Sequence, residues 1–257
     1  TGYVSQSNAV GFRRSTDNGA TWTSRTAPSF TNNNTYARFQ LHPGNEADNQ
    51  DVWLVMHNNL TSVLVLDVYD DSANSWTENT IATGIATTQH GQMNSATRLS
   101  DNHLIVASGD EAWDSATNEI RVWDIGGAAS ITEKTSLGTL RYVPGCGVTI
   151  DEPTGNIYVA YGRGATGVLD QTIYYRVSSN GGVSWGGETT YSASTYNTVG
   201  LIHTSLNVGT YGGRLYPIWF VQTVNDYYGN FDNSLSLGSA AAAAFNVGAQ
   251  QASLLLV

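Results

Sequence analysis

The chain has 257 residues, of which 40% are hydrophobic and 12% are charged, and its formal net charge is −10 at pH 7. This length and composition allow a substantial buried core. The acidic balance, with a single Lys, excludes a basic nucleic-acid-binding stripe and disfavours an anionic membrane surface. No apolar run approaches the length of a membrane span, and the lone Cys146 excludes an intrachain disulfide.

An eight-residue pattern near the N-terminus, STDNGATW (15–22), returns as SSNGGVSW (178–185) and in a degenerate copy, DDSANSW, that ends at Trp76. The final Trp residues are separated by 54 and 109 residues, so one further unit without the pattern lies near residue 130. Short apolar runs recur at the same interval, at 52–56, 104–108, 157–161 and 215–220, each followed by a second run, at 62–69, 119–125, 172–178 and 233–239. The sequence therefore contains a structural repeat of about 54 residues.

Each unit predicts four short antiparallel strands, because the apolar runs are separated by turns rich in Gly, Pro, Asn and Asp and helical periodicity is absent. Four-stranded units at this interval are typical of β-propeller blades. We predict a single all-β domain over residues 1–257, with complete blades beginning near residues 36, 90, 143 and 199. The first blade is predicted to be incomplete at its N-terminus. The run 253–257 either completes it, which closes five blades, or a longer parent protein has a sixth.

The octets resemble the Asp box, or BNR repeat, of sialidase-like propellers. The matching positions are Ser15, Asp17, Gly19, Thr21 and Trp22 in the first copy and Ser178, Gly182, Ser184 and Trp185 in the second, where Asn180 replaces the Asp. The resemblance implies a turn between the third and fourth strands, on the face away from the substrate. The residues themselves indicate a structural role, because Asp17 can accept hydrogen bonds from turn amides, Gly19 permits positive φ and Trp22 can bury its ring against a neighbouring sheet.

Other residues are also predicted to be structural. Trp53, Trp123 and Trp219 lie within predicted strands and are expected in the core, as is Cys146. Asp70 and Asp71 fall in the degenerate octet and are predicted to form its turn.

The candidate binding site is predicted at the opposite face, from the loops between second and third strands and the segments that lead into first strands. The candidate ligand-binding residues there are Arg38, His90, Asp110, Glu111, Trp113, Asp114, Arg141, Arg163 and His203. The loop GDEAWD (109–114) is the most suggestive, because its acids flank a Trp that could stack on a sugar ring and could pair with Arg163. Polar loops of this kind also form solvated surfaces or weak calcium sites. We expect no other metal or cofactor.

Two functions follow as hypotheses. The favoured one is a glycan-recognition or structural assembly module at a cell or virion surface or secreted from the cell, with a glycan or a protein as its partner; abundant Asn, Thr, Ser and Gly with almost no Lys fit that location. The alternative is a sialidase-like exo-glycoside hydrolase. The resemblance implies that such an enzyme needs an Arg cluster, a Tyr nucleophile activated by a Glu, and an Asp acid/base. The family's Arg-Ile-Pro element is absent from this sequence and no Tyr–Glu pair can be assigned, so no catalytic residue is named.

Overall fold

The computed structural model describes residues 2–4, 10–28, 38–44, 52–58, 61–86, 93–112, 114–141, 143, 145–164, 170–197, 207–211, 214–221, 226–229 and 243–245. Within these ranges, side chains are described between residues 11 and 190, except those of 38, 170 and 171. All regular structure in these ranges is β-strand.

The strands form five antiparallel sheets, each built from consecutive strands. Sheet 1 contains β1 (Gly2–Val4), β2 (Val10–Arg14) and β3 (Thr23–Arg25). Sheet 2 contains β4 (Arg38–Pro43), β5 (Val52–Asn58), β6 (Val63–Asp70) and β7 (Ser75–Thr83). Sheet 3 contains β8 (Met93–Arg98), β9 (His103–Gly109), β10 (Ile120–Gly127) and β11 (Ser130–Glu133). Sheet 4 contains β12 (Gly145–Asp151), β13 (Asn156–Gly164), β14 (Asp170–Ser178) and β15 (Thr189–Asn197). Sheet 5 contains β16 (Asn207–Tyr211), β17 (Arg214–Val221), β18 (Asp226–Gly229) and β19 (Ala243–Phe245).

The predicted set of four complete units and one partial unit is confirmed. Sheets 2, 3 and 4 begin within a few residues of the predicted positions. Their second strands read as unbroken apolar runs because these strands are covered on both faces by neighbouring sheets. In β5, for example, every residue from Trp53 to His57 is buried.

Sheet 5 differs from the prediction in two strands. Its first strand is Asn207–Tyr211, which the sequence suggested as a turn, and its third strand is Asp226–Gly229 rather than 233–239. The pairing of Tyr211 with Arg214 leaves two Gly residues between the strands, and a Gly-Gly pair is a hairpin turn signal that outweighs the polar composition of 207–211. Residues 202–206, 233–239 and the C-terminal run 253–257 lie outside the described residues, so the predicted closure by that run is untested.

Two apolar cores lie between neighbouring sheets. Trp53 and Trp123 are fully buried in the core between sheets 2 and 3. Cys146 is buried in the core between sheets 3 and 4. The predicted core positions of these three residues are confirmed, while the side chain of Trp219 lies outside the described part of the chain.

Sheets 1 and 2 meet through an aromatic cluster and an ion pair. Phe12 packs edge-on against Tyr69 at 4.7 Å and against Trp76 at 5.0 Å between ring centroids. Asp71, which is 6% exposed, binds Arg14 and lies 3.0 Å from Nη2 of Arg25. Asp71 lies in the predicted turn, but its carboxylate does not help to form that turn, because it neutralises arginines of the adjacent sheet.

Asp70 alone has the predicted role as a turn former. Its Oδ1 accepts hydrogen bonds from Ser72 Oγ at 2.6 Å and from the Ala73 amide at 2.9 Å. Asn74 completes the turn with a φ of 52°. The degenerate octet therefore keeps a hydrogen-bonded turn although its sequence has diverged.

The first octet is closed by Asp17, as its pattern predicts. Asp17 Oδ1 accepts the Thr21 amide at 2.8 Å and Oδ2 accepts the Thr21 hydroxyl at 2.5 Å. The Ser15 hydroxyl donates to Asp17 at 2.7 Å and accepts the Gly19 amide at 2.8 Å, and Gly19 has a φ of 89°. Hydrogen bonds from the Thr21 hydroxyl and amide and from Ser15 lower the pKa of Asp17 to about 2.

The second octet has the same geometry without the charge. Asn180 Oδ1 accepts the Ser184 amide at 3.0 Å, and the Ser178 hydroxyl accepts the Gly182 amide at 2.8 Å. The amide group of Asn180 then donates to the Ser184 hydroxyl at 2.8 Å, which reverses the direction of the Thr21–Asp17 bond. Asn therefore substitutes for Asp because the turn requires an acceptor at this position rather than a negative charge.

Two octet tryptophans fasten their sheet to the preceding one. Trp76 Nε1 donates to the carbonyl of Thr26, and Trp185 Nε1 donates to the carbonyl of Thr135, both at 2.8 Å and both across 50 residues of sequence. Trp22 behaves differently: it is 47% exposed, so the prediction that its ring is buried against a neighbouring sheet is wrong in the described structure.

Candidate functional site

The topology places the predicted site and the octets at opposite ends of the sheets. In an antiparallel meander, first strands begin at the end where second strands meet third strands, and the third-to-fourth turns lie at the other end. We call the first end the loop face and the second the octet face. Arg38, Asp110, Glu111, Arg141 and Arg163 all lie at the loop face.

Hydrogen bonds within the loop of residues 110–119 fix the carboxylates of Asp110 and Glu111. The Asp110 carboxylate accepts the backbone amide of Glu119 at 2.7 Å. Glu111 accepts the Thr117 hydroxyl at 2.6 Å and also the Ser115 hydroxyl. These contacts lie within one loop, so its two acids are positioned before any ligand binds.

The pKa values of the two acids shift in opposite directions. Burial raises the pKa of Asp110, and the negative charges of Glu111 and Glu119 add to this effect, while the Glu119 amide opposes it. The hydroxyls of Ser115 and Thr117 lower the pKa of Glu111. Relative to the free side chains, this loop therefore favours the neutral form of Asp110 and the ionised form of Glu111.

The loop is braced within itself and against sheet 2. Asn118 Nδ2 donates to the carbonyls of Glu111 at 3.3 Å and Ala112 at 3.2 Å. The carbonyl of Asp110 accepts the Ala86 amide from the segment after β7 at 2.7 Å. Asp114 is exposed, whereas Trp113 lies outside the described residues.

The remaining predicted residues come from other sheets. Arg38 begins β4 and pairs in register with His57, and its side chain lies outside the described part of the chain. The ring of His57 is buried with Nε2 at 2.8 Å from the Ile85 carbonyl. Arg141 is exposed at a φ of 55° in the segment that leads into β12. His90 and His203 lie outside the described residues.

Arg163 does not pair with the acidic loop. Its guanidinium binds Glu188, with Nε at 2.8 Å from Oε2 and Nη2 at 2.5 Å from Oε1, and lies 4.6 Å from the ring centroid of Tyr174. The predicted pairing with the acids of residues 109–114 is therefore wrong. Arg163 is satisfied within sheet 4 because Glu188, just before β15, reaches across the sheet to β13.

Glu188 also gives the chain a Tyr–Glu pair that sequence analysis missed. Tyr161 Oη donates to Glu188 Oε2 at 2.8 Å, but Tyr161 is 0% exposed. Burial raises the pKa of Tyr161, and the charge of Glu188 raises it further. A phenol that is inaccessible and resists ionisation is unsuited to nucleophilic attack, so this pair is structural. The sequence carries no signal for this pair, because its two residues are 27 positions apart and Glu188 follows a Gly-Gly pair.

A Ser–His contact also lies within the structure. Nε2 of His42 is 2.6 Å from Ser95 Oγ and Nδ1 is 3.2 Å from Thr97 Oγ1, while Ser95 donates to Gln40 at 2.5 Å. Burial lowers the pKa of His42 to about 4. Both ring nitrogens are used between first strands of sheets 2 and 3, which is a packing role rather than a nucleophilic dyad.

Among the described side chains, no three His, Cys, Asp or Glu residues lie close enough to hold one metal ion. The loop geometry thus gives the weak calcium hypothesis no support. The described part of the chain also contains no helix long and apolar enough to cross a membrane.

Comparison with known proteins identifies the architecture. No protein-family model and no curated protein matches the sequence. Among solved structures, the chain is similar to an alpha-L-arabinanase of Penicillium chrysogenum complexed with arabinobiose, at 14% identity and a TM-score of 0.56 over 82% of this chain and 65% of that one. The fold is a β-propeller.

Two further solved structures share the fold. One is the E242A mutant of an alpha-L-arabinofuranosidase of Fusarium graminearum with an iminosugar inhibitor, at 12% identity and a TM-score of 0.51 over 82% of this chain and 65% of that one. The other is an exo-beta-1,3-galactanase of Phanerochaete chrysosporium with beta-1,3-galactotriose, at 8% identity and a TM-score of 0.51 over 86% of this chain and 53% of that one. The propeller thus spans less than two thirds of each of these three proteins.

Proposed function

We propose that this propeller recognises glycans through its loop face and does not hydrolyse them, and that its octets are Asp boxes with a structural role. The observation that carries this proposal is the pre-ordered acidic loop of residues 110–119. Its acids are fixed by hydrogen bonds from their own loop, and a pre-ordered site loses little entropy when a ligand binds. Three similar folds carry names of proteins that act on arabinose- or galactose-containing saccharides, which supports a saccharide as the ligand.

The chemistry of the loop fits a saccharide. Carboxylates accept hydrogen bonds from sugar hydroxyls, and one carboxylate can accept several such bonds. Asp114 is exposed and available for such contacts, and Trp113 supplies an aromatic ring in the same loop sequence. We further propose that the module acts at a cell or virion surface or as a secreted protein, where glycans are encountered.

Binding is tested by calorimetry with arabino-, beta-1,3-galacto- and sialylated oligosaccharides. Trp113→Ala and Asp114→Asn should each weaken binding by about 1–3 kcal/mol, through loss of stacking or of a charged acceptor. Asp101→Asn is the matched control, because Asp101 is an exposed acid of the same sheet in the turn between β8 and β9, at the octet face. Equal losses in Asp101→Asn and Asp114→Asn would contradict a specific loop-face site. If no oligosaccharide binds and a protein partner is found to cover the loop face, the result would support the structural assembly function instead.

One observation favours the hydrolase as a second candidate. Asp110 and Glu111 are adjacent carboxyls whose pKa values are shifted in opposite directions, up for Asp110 and down for Glu111, and glycosidases use differently tuned carboxyls as a general acid and an ionised carboxylate. Hydrolysis would then release reducing sugar from one of the same oligosaccharides, with Asp110→Asn and Glu111→Gln each losing turnover but not binding. Turnover that survives both substitutions would exclude these acids, and binding without turnover would exclude the hydrolase.

A further inference from the structure

A cavity of about 380 Å³ lies between sheets 1 and 2 at the octet face, away from the acidic loop. Residues of both sheets line it, among them Phe12, Arg14, Trp22, His42, Tyr69 and Asp71. This volume falls at the lower end of the range for small-molecule pockets, which suits a single sugar ring better than a chain of several.

Trp22 gives this cavity an accessible aromatic surface. The equivalent residues Trp76 and Trp185 donate their indole N–H groups to the carbonyls of Thr26 and Thr135, next to the preceding sheets. Within the described residues the Trp22 N–H has no acceptor, and 47% of the residue is exposed. The ring of Trp22 is therefore accessible to a ligand, whereas the ring of Trp185 in the second octet contacts the preceding sheet.

The cavity also concentrates positive charge in a protein whose net charge is −10. Arg13 and Arg14 line it, and Arg25 joins Arg14 on the buried carboxylate of Asp71. Among the described lining residues, the guanidinium groups of Arg13 and Arg14 are accompanied by the single carboxylate of Asp71. Arg14 has a side chain that is 41% exposed, and its contact with Asp71 uses one nitrogen of a group with five N–H donors.

His42 and Tyr69 also line the cavity, but their polar atoms are already hydrogen-bonded, so the arginines are the groups that can bind an anion. His42 uses both ring nitrogens for Ser95 and Thr97, so it contributes only the edge of its ring to the cavity. Tyr69 Oη already receives a hydrogen bond from Arg25 at 2.7 Å and donates to Asn74 at 2.9 Å. A ligand therefore meets an aromatic ring on one side and guanidinium groups on another.

We propose that this cavity is a second ligand site, for a sugar that carries a carboxylate, with the sugar ring against Trp22 and the carboxylate on Arg14. An indole face suits the C–H face of a pyranose, and a guanidinium matches a carboxylate in geometry and charge. The site is independent of the loop face, because no residue of the loop 110–119 lines it.

Calorimetric titration with glucuronate and galacturonate tests the site, with glucose, galactose and acetate as comparison ligands. Both uronates should bind, whereas the neutral sugars lack the anion and acetate lacks the ring. Trp22→Ala and Arg14→Gln should each weaken uronate binding by about tenfold. In Arg14→Gln the carboxylate of Asp71 keeps Arg25, so this second variant retains a partner for the buried charge.

Trp185→Ala is the matched control, since it occupies the same octet position as Trp22. It should lower the melting temperature through loss of the Thr135 contact and leave uronate affinity unchanged. Trp113→Ala should also leave uronate affinity unchanged, which separates this site from the loop face. The proposal is overturned if uronates do not bind, if neutral sugars or acetate bind equally well, or if Trp22→Ala binds uronate like the parent protein.

Discussion

Asp67 is a buried carboxyl whose removal should stabilise the protein above neutral pH. It lies on β6, is 2% exposed, and its Oδ2 has no hydrogen-bond partner. Burial, with a smaller effect from the charge of Glu78 opposite it on β7, raises its pKa from 3.8 to about 7. A buried carboxyl without a partner is costly when ionised. We therefore expect Asp67→Asn to be more stable than the parent protein at pH 8.

The sign and size follow from proton linkage. The unfolded chain releases the Asp67 proton near its ordinary pKa of 3.8, whereas the folded chain retains it until about pH 7. The folded state binds more protons between these values, so the free energy of unfolding falls as pH rises through that window and is flat above it. The difference between these two pKa values corresponds to about 4 kcal/mol. Solvent screening reduces this to about 2 kcal/mol.

Urea denaturation at several pH values from about 5 to about 8 measures this effect, provided that the m-value is unchanged. The parent protein should lose stability across the range, and Asp67→Asn should lose less. Asp70→Asn is the control on the same strand. The Ser72 hydroxyl and the Ala73 amide lower the pKa of Asp70, so its contribution is present above its ordinary pKa and is lost only at lower pH. A parent protein with constant stability over this range, or Asp67→Asn with the parent's slope, would refute the reasoning.

Three further substitutions test the packing described above. Asp17→Asn should melt close to the parent protein because Asn fills this position in the second octet, whereas Asp17→Ala should melt earlier; equal melting of the two variants would contradict the turn's need for an acceptor. Gly126→Ala places a Cβ 2.7 Å from the His103 ring, which Asp124 holds in place, and should cost about 1–3 kcal/mol in chemical denaturation; unchanged stability would contradict this packing. Glu188→Ala removes the shared acceptor of the Tyr161 hydroxyl and the Arg163 guanidinium and should cost about 1–3 kcal/mol, with Glu188→Gln intermediate; equal losses would mean that the remaining hydrogen bonds of the Gln amide contribute nothing.

Repetition made most of the fold predictable. The apolar runs of sheets 2 to 4 coincide with strands because inner strands of stacked sheets are covered on both faces. Sheet 5 was misassigned because polar and Tyr-rich segments form two of its strands, Asn207–Tyr211 and Asp226–Gly229. Cross-strand pairing outweighs composition in these segments, and pairing partners cannot be read from a single strand.

The candidate site was predictable in position but not in its contacts. The topology placed Asp110 and Glu111 at the loop face, and the structure adds the hydrogen bonds that fix them. The partner of Arg163 was missed because Glu188 reaches it across two strands, a contact with no local sequence signal. The exposure of Trp22 was missed because its octet has the same pattern as that of Trp185, and the pattern does not show that only Trp185 has a backbone acceptor in another sheet among the described residues.

The contacts of Trp76 and Trp185 with the preceding sheets bear on how such a protein can grow by gene duplication. In each case the donor ends an octet, at the start of the fourth strand for Trp76 and before it for Trp185, and the acceptor is a backbone carbonyl just after the last strand of the preceding sheet. The acceptor is main chain and does not depend on the side chain at that position. A duplicated unit that carries an octet can therefore form this hydrogen bond with any unit that precedes it. The contact can persist while the side chains around the acceptor carbonyl change.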